Sequence, residues 1–342
     1  ITTKGASHFM GRVTLGGISE GVIYRTVGTQ NLNGLEGEAV PIHPIGDLVG
    51  MVVSQKEVDV GGVSIREHIR TKGNVPFCQP GQGFQGLAIL KGVVAAGKIK
   101  PCEIMIYDIN EEKLALLKEE LSVNVAESAK QIAAECDNTV IAVKPKDFAA
   151  LAGSISAEIE KKNSLVISTA AGKEILKIED YFGFSAKIAR IMPNINASVG
   201  QSMTAVCFSG AVNADEKAFA VEFCSYFGKC VELEEKYFSA FTAIAGSAPA
   251  FAFMFADAVA TAGVKYGLPA KTAQDIAAQM LFGSAKLMLE SPLAVSELIR
   301  NVCSPGGTTI EGVCSLKETG FENSVIRAVD KTVEKDRKMS GK

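Results

Sequence analysis

The sequence predicts an α/β protein: a doubly wound, largely parallel sheet followed by an all-helical C-terminal part. Three observations carry this. Short continuous apolar runs alternate with helical segments between residues 75 and 233. A glycine-rich turn, Gly81-Gln82-Gly83-Phe84-Gln85-Gly86, opens the first helical segment. Beyond residue 234 the strand signal stops and long apolar helical stretches take over.

The elements follow in order. Leu87 to Ala96 reads as the helix behind the glycine turn. Ile104-Met105-Ile106-Tyr107 is an apolar run closed by Asp108, and Glu111 to Leu121 is a helix with apolar positions at helical spacing. Val140-Ile141-Ala142-Val143 is a second run, closed by Lys144-Pro145. Leu165-Val166-Ile167-Ser168 and Ile188-Ala189-Arg190-Ile191 complete the series. Runs that are apolar throughout, not alternating, belong to strands covered on both faces. The first strand is expected at Val75-Pro76-Phe77-Cys78-Gln79-Pro80, directly before the glycine turn, although its two prolines remove ladder donors.

In the C-terminal part Pro249 to Lys265 is a helix stopped by Gly267 and Pro269. Ala270 to Glu290, Thr308 to Lys317 and Ser324 to Lys338 are further helices. Their apolar residues run all round, so these helices must be buried. A part of only about 110 residues cannot bury so much alone, which predicts a homodimer whose partner covers the rest, the alternative being a core packed against the first domain. From Tyr237 to Ala256 no residue is charged, a run long enough to cross a bilayer. Gly246-Ser247-Ala248-Pro249 interrupts it, so the expectation is two buried pieces joined by a turn and no membrane span.

This divides the 342 residues into 1–74 without assignment, a dinucleotide-binding domain at 75–233, and a helical substrate and dimerisation domain at 234–342. The first segment holds thirteen of the 33 glycines and all three histidines, His8, His43 and His68, with β-like runs such as Val49-Gly50-Met51-Val52-Val53.

Composition narrows the function. Hydrophobic residues make up 47% and charged residues 21%, which excludes global disorder. Lys plus Arg is 35 and Asp plus Glu is 38, a net charge of -3, so nucleic acid is not the expected partner. The eight cysteines form no CxxC pair, and their spacing fits neither a metal site nor a disulfide framework. Reduced thiols in a cytoplasmic protein are expected, with no signal peptide.

The glycine turn fits GxGxxG. Its glycines permit a tight turn, close approach to a pyrophosphate, and helix–strand packing, and the helix N-terminus faces the phosphates. Asp108 lies 22 residues after Gly86, where an acid accepts from ribose hydroxyls. A second motif, Ser304-Pro305-Gly306-Gly307-Thr308-Thr309, precedes a helix. Its backbone N–H groups could converge on a small carboxylate, or it could be a plain capped helix start. No histidine follows His68. A carbonyl reductase often relies on a histidine to protonate its alkoxide, so the absence favours reduction of C=N over C=O.

Together these residues resemble the pyrroline-5-carboxylate reductase family over residues 77–340. The most specific parts are Ala142-Val143-Lys144-Pro145, Arg190-Ile191-Met192-Pro193-Asn194, Ala245-Gly246-Ser247-Ala248-Pro249-Ala250 and Ser304 to Gly312. The resemblance implies a Rossmann-type domain, an interlocking helical domain, dimers that assemble further up to decamers, and an active site at the dimer interface. It implies NADH or NADPH as cofactor and 1-pyrroline-5-carboxylate as substrate, reduced to L-proline. Gly81, Gly83, Phe84, Gln85 and Gly86 would then surround the pyrophosphate. Ala142, Val143, Lys144 and Pro145 would lie along the ribose and nicotinamide, and Met192, Pro193 and Asn194 would border the pocket. Ser304 with the backbone of Gly306, Gly307 and Thr308 would hold the carboxylate, and Thr309 would orient the ring nitrogen. Asp108, with no arginine next to it, would repel a 2′-phosphate and favour NADH. Two other readings are a non-catalytic nucleotide- or partner-binding protein on the same scaffold and a β-hydroxyacid-type reductase using Lys144.

Overall fold

Five apolar or glycine residues, Val49–Val53, form strand β1, which pairs in parallel with two neighbours at once. In the computed structural model, which describes residues 49–53 and 84–340, this is the central strand of an eight-stranded sheet. The helix α1 (Phe84–Ala96) follows it. Then come β2 (Ile104–Tyr107), α2 (Glu111–Leu121), β3 (Asn124–Val125), α3 (Ala129–Glu135), β4 (Asn138–Ala142), α4 (Phe148–Lys162), β5 (Leu165–Ser168), α5 (Ile175–Phe182) and β6 (Ile188–Met192). Strand β7 (Ser202–Phe208) turns back antiparallel to β6, and β8 (Gly228–Glu232) runs beside it after α6 (Ala214–Ser225). The spatial order is β3-β2-β1-β4-β5-β6-β7-β8.

The strand expected at Val75–Pro80 lies outside the described residues. Its place in the sheet is taken by Val49–Val53, so the stretch 1–74, expected to stand apart, contributes a strand to the α/β part. The physical reason is pairing: β1 matches Val49–Val52 to Ile104–Tyr107 on one side and Val49–Val53 to Asn138–Ala142 on the other. Met51 is 2% exposed in the core beneath it.

Two apolar layers sandwich the sheet. One joins Ile89, Leu90 and Val93 of α1 to Ile104, Val140, Ile167 and Phe223. The other joins Ile132, Phe148, Ile155 and Ile178 to Ile141, Val166 and Ile188. Helix ends follow from local chemistry. Asn110 caps α2 by accepting from Lys113 N–H at 2.9 Å, and Asn213 and Glu216 form a reciprocal capping box on α6.

Beyond β8 the chain is helical: α7 (Phe238–Phe241), a π-turn at Thr242–Ser247, α8 (Ala248–Lys265), α9 (Ala270–Glu290), α10 (Val295–Val302), α11 (Thr308–Glu318) and α12 (Phe321–Met339). The break expected at Gly246–Pro249 is absent. Helix runs continuously from Glu235 to Lys265, and the π-turn absorbs the proline. Among the described residues this one helix is long and apolar enough to cross a membrane by length and composition. Helices α8 and α9 pack through a small core of Ala260, Ala273 and Ala277. The expected burial of the helical part is not met within one chain: Phe253, Met254, Phe282 and Leu289 are each at least 60% exposed.

About thirty residues, 54–83, separate β1 from α1. In a doubly wound sheet the first strand leads directly into the glycine turn. Joining Val53 to Gly81 is therefore expected to keep the fold. Urea unfolding of the shortened and full chains checks this; a collapsed or destabilised shortened chain would refute it.

Candidate functional site: the carboxyl edge of the sheet and the head of α11

The chain builds β1, β2 and β3 outward on one side, then crosses to build β4, β5 and β6 on the other. The crevice at such a switch point, outside the carboxyl ends of β1 and β4, is where open α/β sheets bind ligands. Several sequence-predicted residues come together along this edge. Asp108 follows β2 and is 3% exposed. Ala142 ends β4 with Val143 behind it, both buried, and Lys144 and Pro145 are half-buried. Met192 ends β6, and Pro193 and Asn194 continue from it, all three buried. Gln85 is half-buried and Gly86 buried in the first turn of α1. Phe84 begins that helix, whereas Gly81 and Gly83 lie outside the described residues.

Asp108 is held from two directions. Its Oδ1 accepts from Asn110 N–H at 3.1 Å, and its Oδ2 pairs with Lys113 Nζ at 2.6 Å. Lys113 was not among the expected residues. Its only signal is its place in the first turn of α2, five residues after the acid. The carboxylate keeps acceptor capacity, since each oxygen has more than one lone pair.

The second motif forms a tight turn. Gly307 N–H donates to Ser304 C=O at 3.0 Å across Pro305 and Gly306, and Gly306 has φ +65°. Proline at the second position and a left-handed glycine at the third are the requirements of a type II turn. A Cβ on Gly307 would sit 2.3 Å from Ser304 Oγ, so a side chain there would force the Ser304 hydroxyl to turn away. Thr308 then opens α11, and no side chain caps the first N–H groups. These donors and the hydroxyls of Ser304, Thr308 and Thr309 are available to an anion. Ser304 and Thr308 are exposed and Thr309 half-buried. Among the described residues no hydrogen bond or ion pair joins this loop to the carboxyl edge, so one chain presents the two halves separately.

Two buried thiols are quiet. Burial pushes Cys136 and Cys207 up to about 12. Cys303, beside the turn, is half-buried and has no histidine within the described residues to activate it.

Residues 235–339 match the family model for pyrroline-5-carboxylate reductase dimerisation, and residues 80–172 match the model described as NADP oxidoreductase, coenzyme F420-dependent. The chain is 38% identical over 260 residues to the pyrroline-5-carboxylate reductase of Escherichia coli K12, spanning 76% of this chain and 96% of that one. The chain belongs to the pyrroline-5-carboxylate reductase family. The reductase of Aquifex aeolicus is 36% identical over 267 residues, 78% of this chain and 96% of its own. Among solved structures, the Plasmodium falciparum pyrroline carboxylate reductase with NADP bound superposes with a TM-score of 0.71 at 27% identity, covering 86% of this chain and 99% of that one. The Coxiella burnetii pyrroline-5-carboxylate reductase gives 0.73 at 25% identity, over 86% and 98%. Membership of this family accounts for the exposed apolar helices, because the matched dimerisation region coincides with them.

The Ser304–Gly307 turn yields a prediction. Gly307→Ala is expected to push the Ser304 hydroxyl out of its place, because the added methyl group would stand 2.3 Å from Ser304 Oγ, while Ser304 O at 3.2 Å has to give only slightly. The turn is exposed, so thermal stability should change little while affinity for a small cyclic imino or amino acid carboxylate falls. Calorimetric titration with L-proline in the presence of nucleotide, alongside a melting curve, measures both. Unchanged affinity would remove the turn from the site.

Proposed function

We propose that this chain reduces the C=N bond of 1-pyrroline-5-carboxylate to give L-proline, the last step of proline biosynthesis, with NADH or NADPH as reductant. The observation that carries the reading is the Ser304–Thr309 turn at the head of α11, a carboxylate cradle in a chain whose sheet has a nucleotide-binding order. A buried acid at the end of β2, with lone pairs left to accept from ribose hydroxyls, fits a nicotinamide dinucleotide. When bound, that cofactor supplies the hydride.

The chain's own residues supply placement. Gly81, Gly83, Phe84, Gln85 and Gly86 surround the pyrophosphate, and Asp108 accepts from the ribose. Ala142, Val143, Lys144 and Pro145 line the ribose and nicotinamide, while Met192, Pro193 and Asn194 border the substrate pocket. Ser304 and the backbone of Gly306, Gly307 and Thr308 hold the substrate carboxylate. Thr309 orients the ring nitrogen; its hydroxyl is too weak an acid to be the proton source. None is needed if the imine arrives protonated, since hydride addition at carbon then leaves a neutral amine.

The working unit in this reading is a homodimer in the cytoplasm, with assembly up to a decamer. The cofactor domain comprises 75–233 together with β1, and the substrate and dimerisation domain comprises 234–342. Turnover is tested by following the loss of reduced-nicotinamide absorbance with 1-pyrroline-5-carboxylate. Ser304→Ala and Thr309→Val should each raise KM for the pyrroline acid by about ten- to a hundredfold, the worth of one charge-assisted hydrogen bond. Nucleotide dissociation constants should stay within about twofold. Unchanged kinetics in both variants would sink the site assignment.

NADH is the preferred reductant in this reading, through the Asp108 carboxylate. Lys113 moderates that preference by neutralising the acid. Lys113→Ala should lower kcat/KM with NADPH by about tenfold and leave NADH nearly untouched, because a bare carboxylate repels a 2′-phosphate. Equal effects on both nucleotides would show that the pair does not set cofactor choice.

A further inference from the structure

Pro249 has no N–H, so the carbonyl four residues before it, that of Ala245, loses its α-helical partner. The helix responds with the π-turn over Thr242–Ser247, in which Ala248 N–H reaches back to Ala243 C=O. Single π-turns inside long helices recur at functional sites. This one is held from outside. The Nδ2 of Asn194, just past the end of β6, donates to Ala245 C=O at 2.9 Å. The hydroxyl of Thr242 is buried without a partner, so it does not make up the bond.

Asn194 is itself fixed by a buried network. Its Oδ1 accepts from Asn196 N–H at 3.2 Å. Its own N–H donates to Ser202 Oγ at 3.2 Å, and Ser202 Oγ shares a hydrogen bond with Thr204 Oγ1 at 3.1 Å. Asn194, Ser202 and Thr204 are 7%, 3% and 0% exposed. Both ends of the Asn194 side chain are therefore engaged by the protein itself.

We propose that Asn194 is a positioning residue that acts through the π-turn. Its bond to Ala245 fixes where Gly246, Ser247 and Ala248 stand relative to the carboxyl edge, and hence how the substrate meets the cofactor. The inference rests on the reductase reading and specifies the task of one residue within it. Placement errors of about 1 Å cost on the order of a hundredfold in rate, which sets the size of the effect.

Two variants of the full chain test it. Asn194→Asp keeps the shape but turns the donor into an acceptor facing a carbonyl. Pro249→Ala returns an intrahelical donor to Ala245, improves helix propensity, and so carries little risk to folding. Both should lower kcat by about ten- to a hundredfold. The nucleotide dissociation constant should stay within about twofold, because the turn is not part of the nucleotide site. Hydrogen exchange in residues 242–250 should change in both variants while that of β6 does not. A wild-type kcat in Pro249→Ala, or a kcat loss matched by lost nucleotide binding, overturns the proposal. If the unmodified chain turns over no pyrroline acid, the reductase reading fails. Exchange then decides the inference alone, and an unaltered 242–250 segment in both variants defeats it.

Discussion

Val49–Val53 hydrogen-bonds on both edges, to β2 and to β4, and the cofactor edge depends on that double pairing. Strands stand ~4.8 Å apart, so one strand between β2 and β4 sets their carboxyl ends ~10 Å apart. Asp108 follows one and Ala142 ends the other. The spacing between Asp108 and the residues at the end of β4 is thus fixed by a ladder of backbone bonds. Side chains do not have to maintain it. Met51, pressed into the layer beneath with Ile89, Ile104 and Val140, anchors the strand against sliding out of register.

Most of this sheet is legible in the sequence, because a strand buried on both faces must be apolar along its whole length. Ile104–Tyr107, Leu165–Ser168 and Ile188–Ile191 read directly for that reason. The first strand misleads because legibility there rests on adjacency. A glycine turn points to the residues before it, and those are Val75–Pro80, whereas partner strands select Val49–Val53. Strand β8 carries Lys229 and Glu232 at the sheet's edge, where no continuous apolar run is required. The Asp108 carboxylate reads from its spacing to Gly86, but Lys113 does not, since which lysine folds back on an acid depends on the turn cap at Asn110. In the helical part Ala270–Glu290 reads to its end residues. Pro249 signals a break that never comes, because the donor replacing its missing N–H lies 55 residues earlier at Asn194. The turn at Ser304–Gly307 is the converse case: its conformation is written in four consecutive residues.

Strand β6 and the segment just after it grip the helical part twice. Arg190 Nη1 bonds Glu235 Oε1 at 2.7 Å, and that oxygen also accepts from Ile175 N–H at 2.8 Å. The guanidinium carbon lies 4.4 Å from the centre of the Phe238 ring. Asn194 then reaches Ala245. Glu235 and Ala245 are ten residues apart on one helix, ~15 Å along its axis. Two fixed points at that separation define the direction of the helix as well as its position. A buried ion pair gains little net stability once desolvation is counted, and the Nε of Arg190 is left without a partner. What the pair contributes is a single docking geometry.

That geometry matters more here than in a site with a strong acid or base. The protein's three histidines all lie at or before residue 68, and burial holds the Cys136 and Cys207 thiols protonated. Rate enhancement must then come from orientation and from fixed dipoles, which are effective only when the groups that carry them cannot drift. The turn at Ser304–Gly307 meets this requirement locally, through a left-handed glycine and the bond from Gly307 N–H to Ser304 C=O. The joint at β6 meets it between the sheet and the helices. Neither brings the turn to the carboxyl edge within one chain, while the exposed apolar residues of α8 and α9 call for a second surface. The dimerisation region matched by the family spans both the turn and those residues. In the proposed site, covering the apolar faces and bringing a turn to a carboxyl edge are therefore one requirement, so dimer affinity and catalytic competence should rise and fall together.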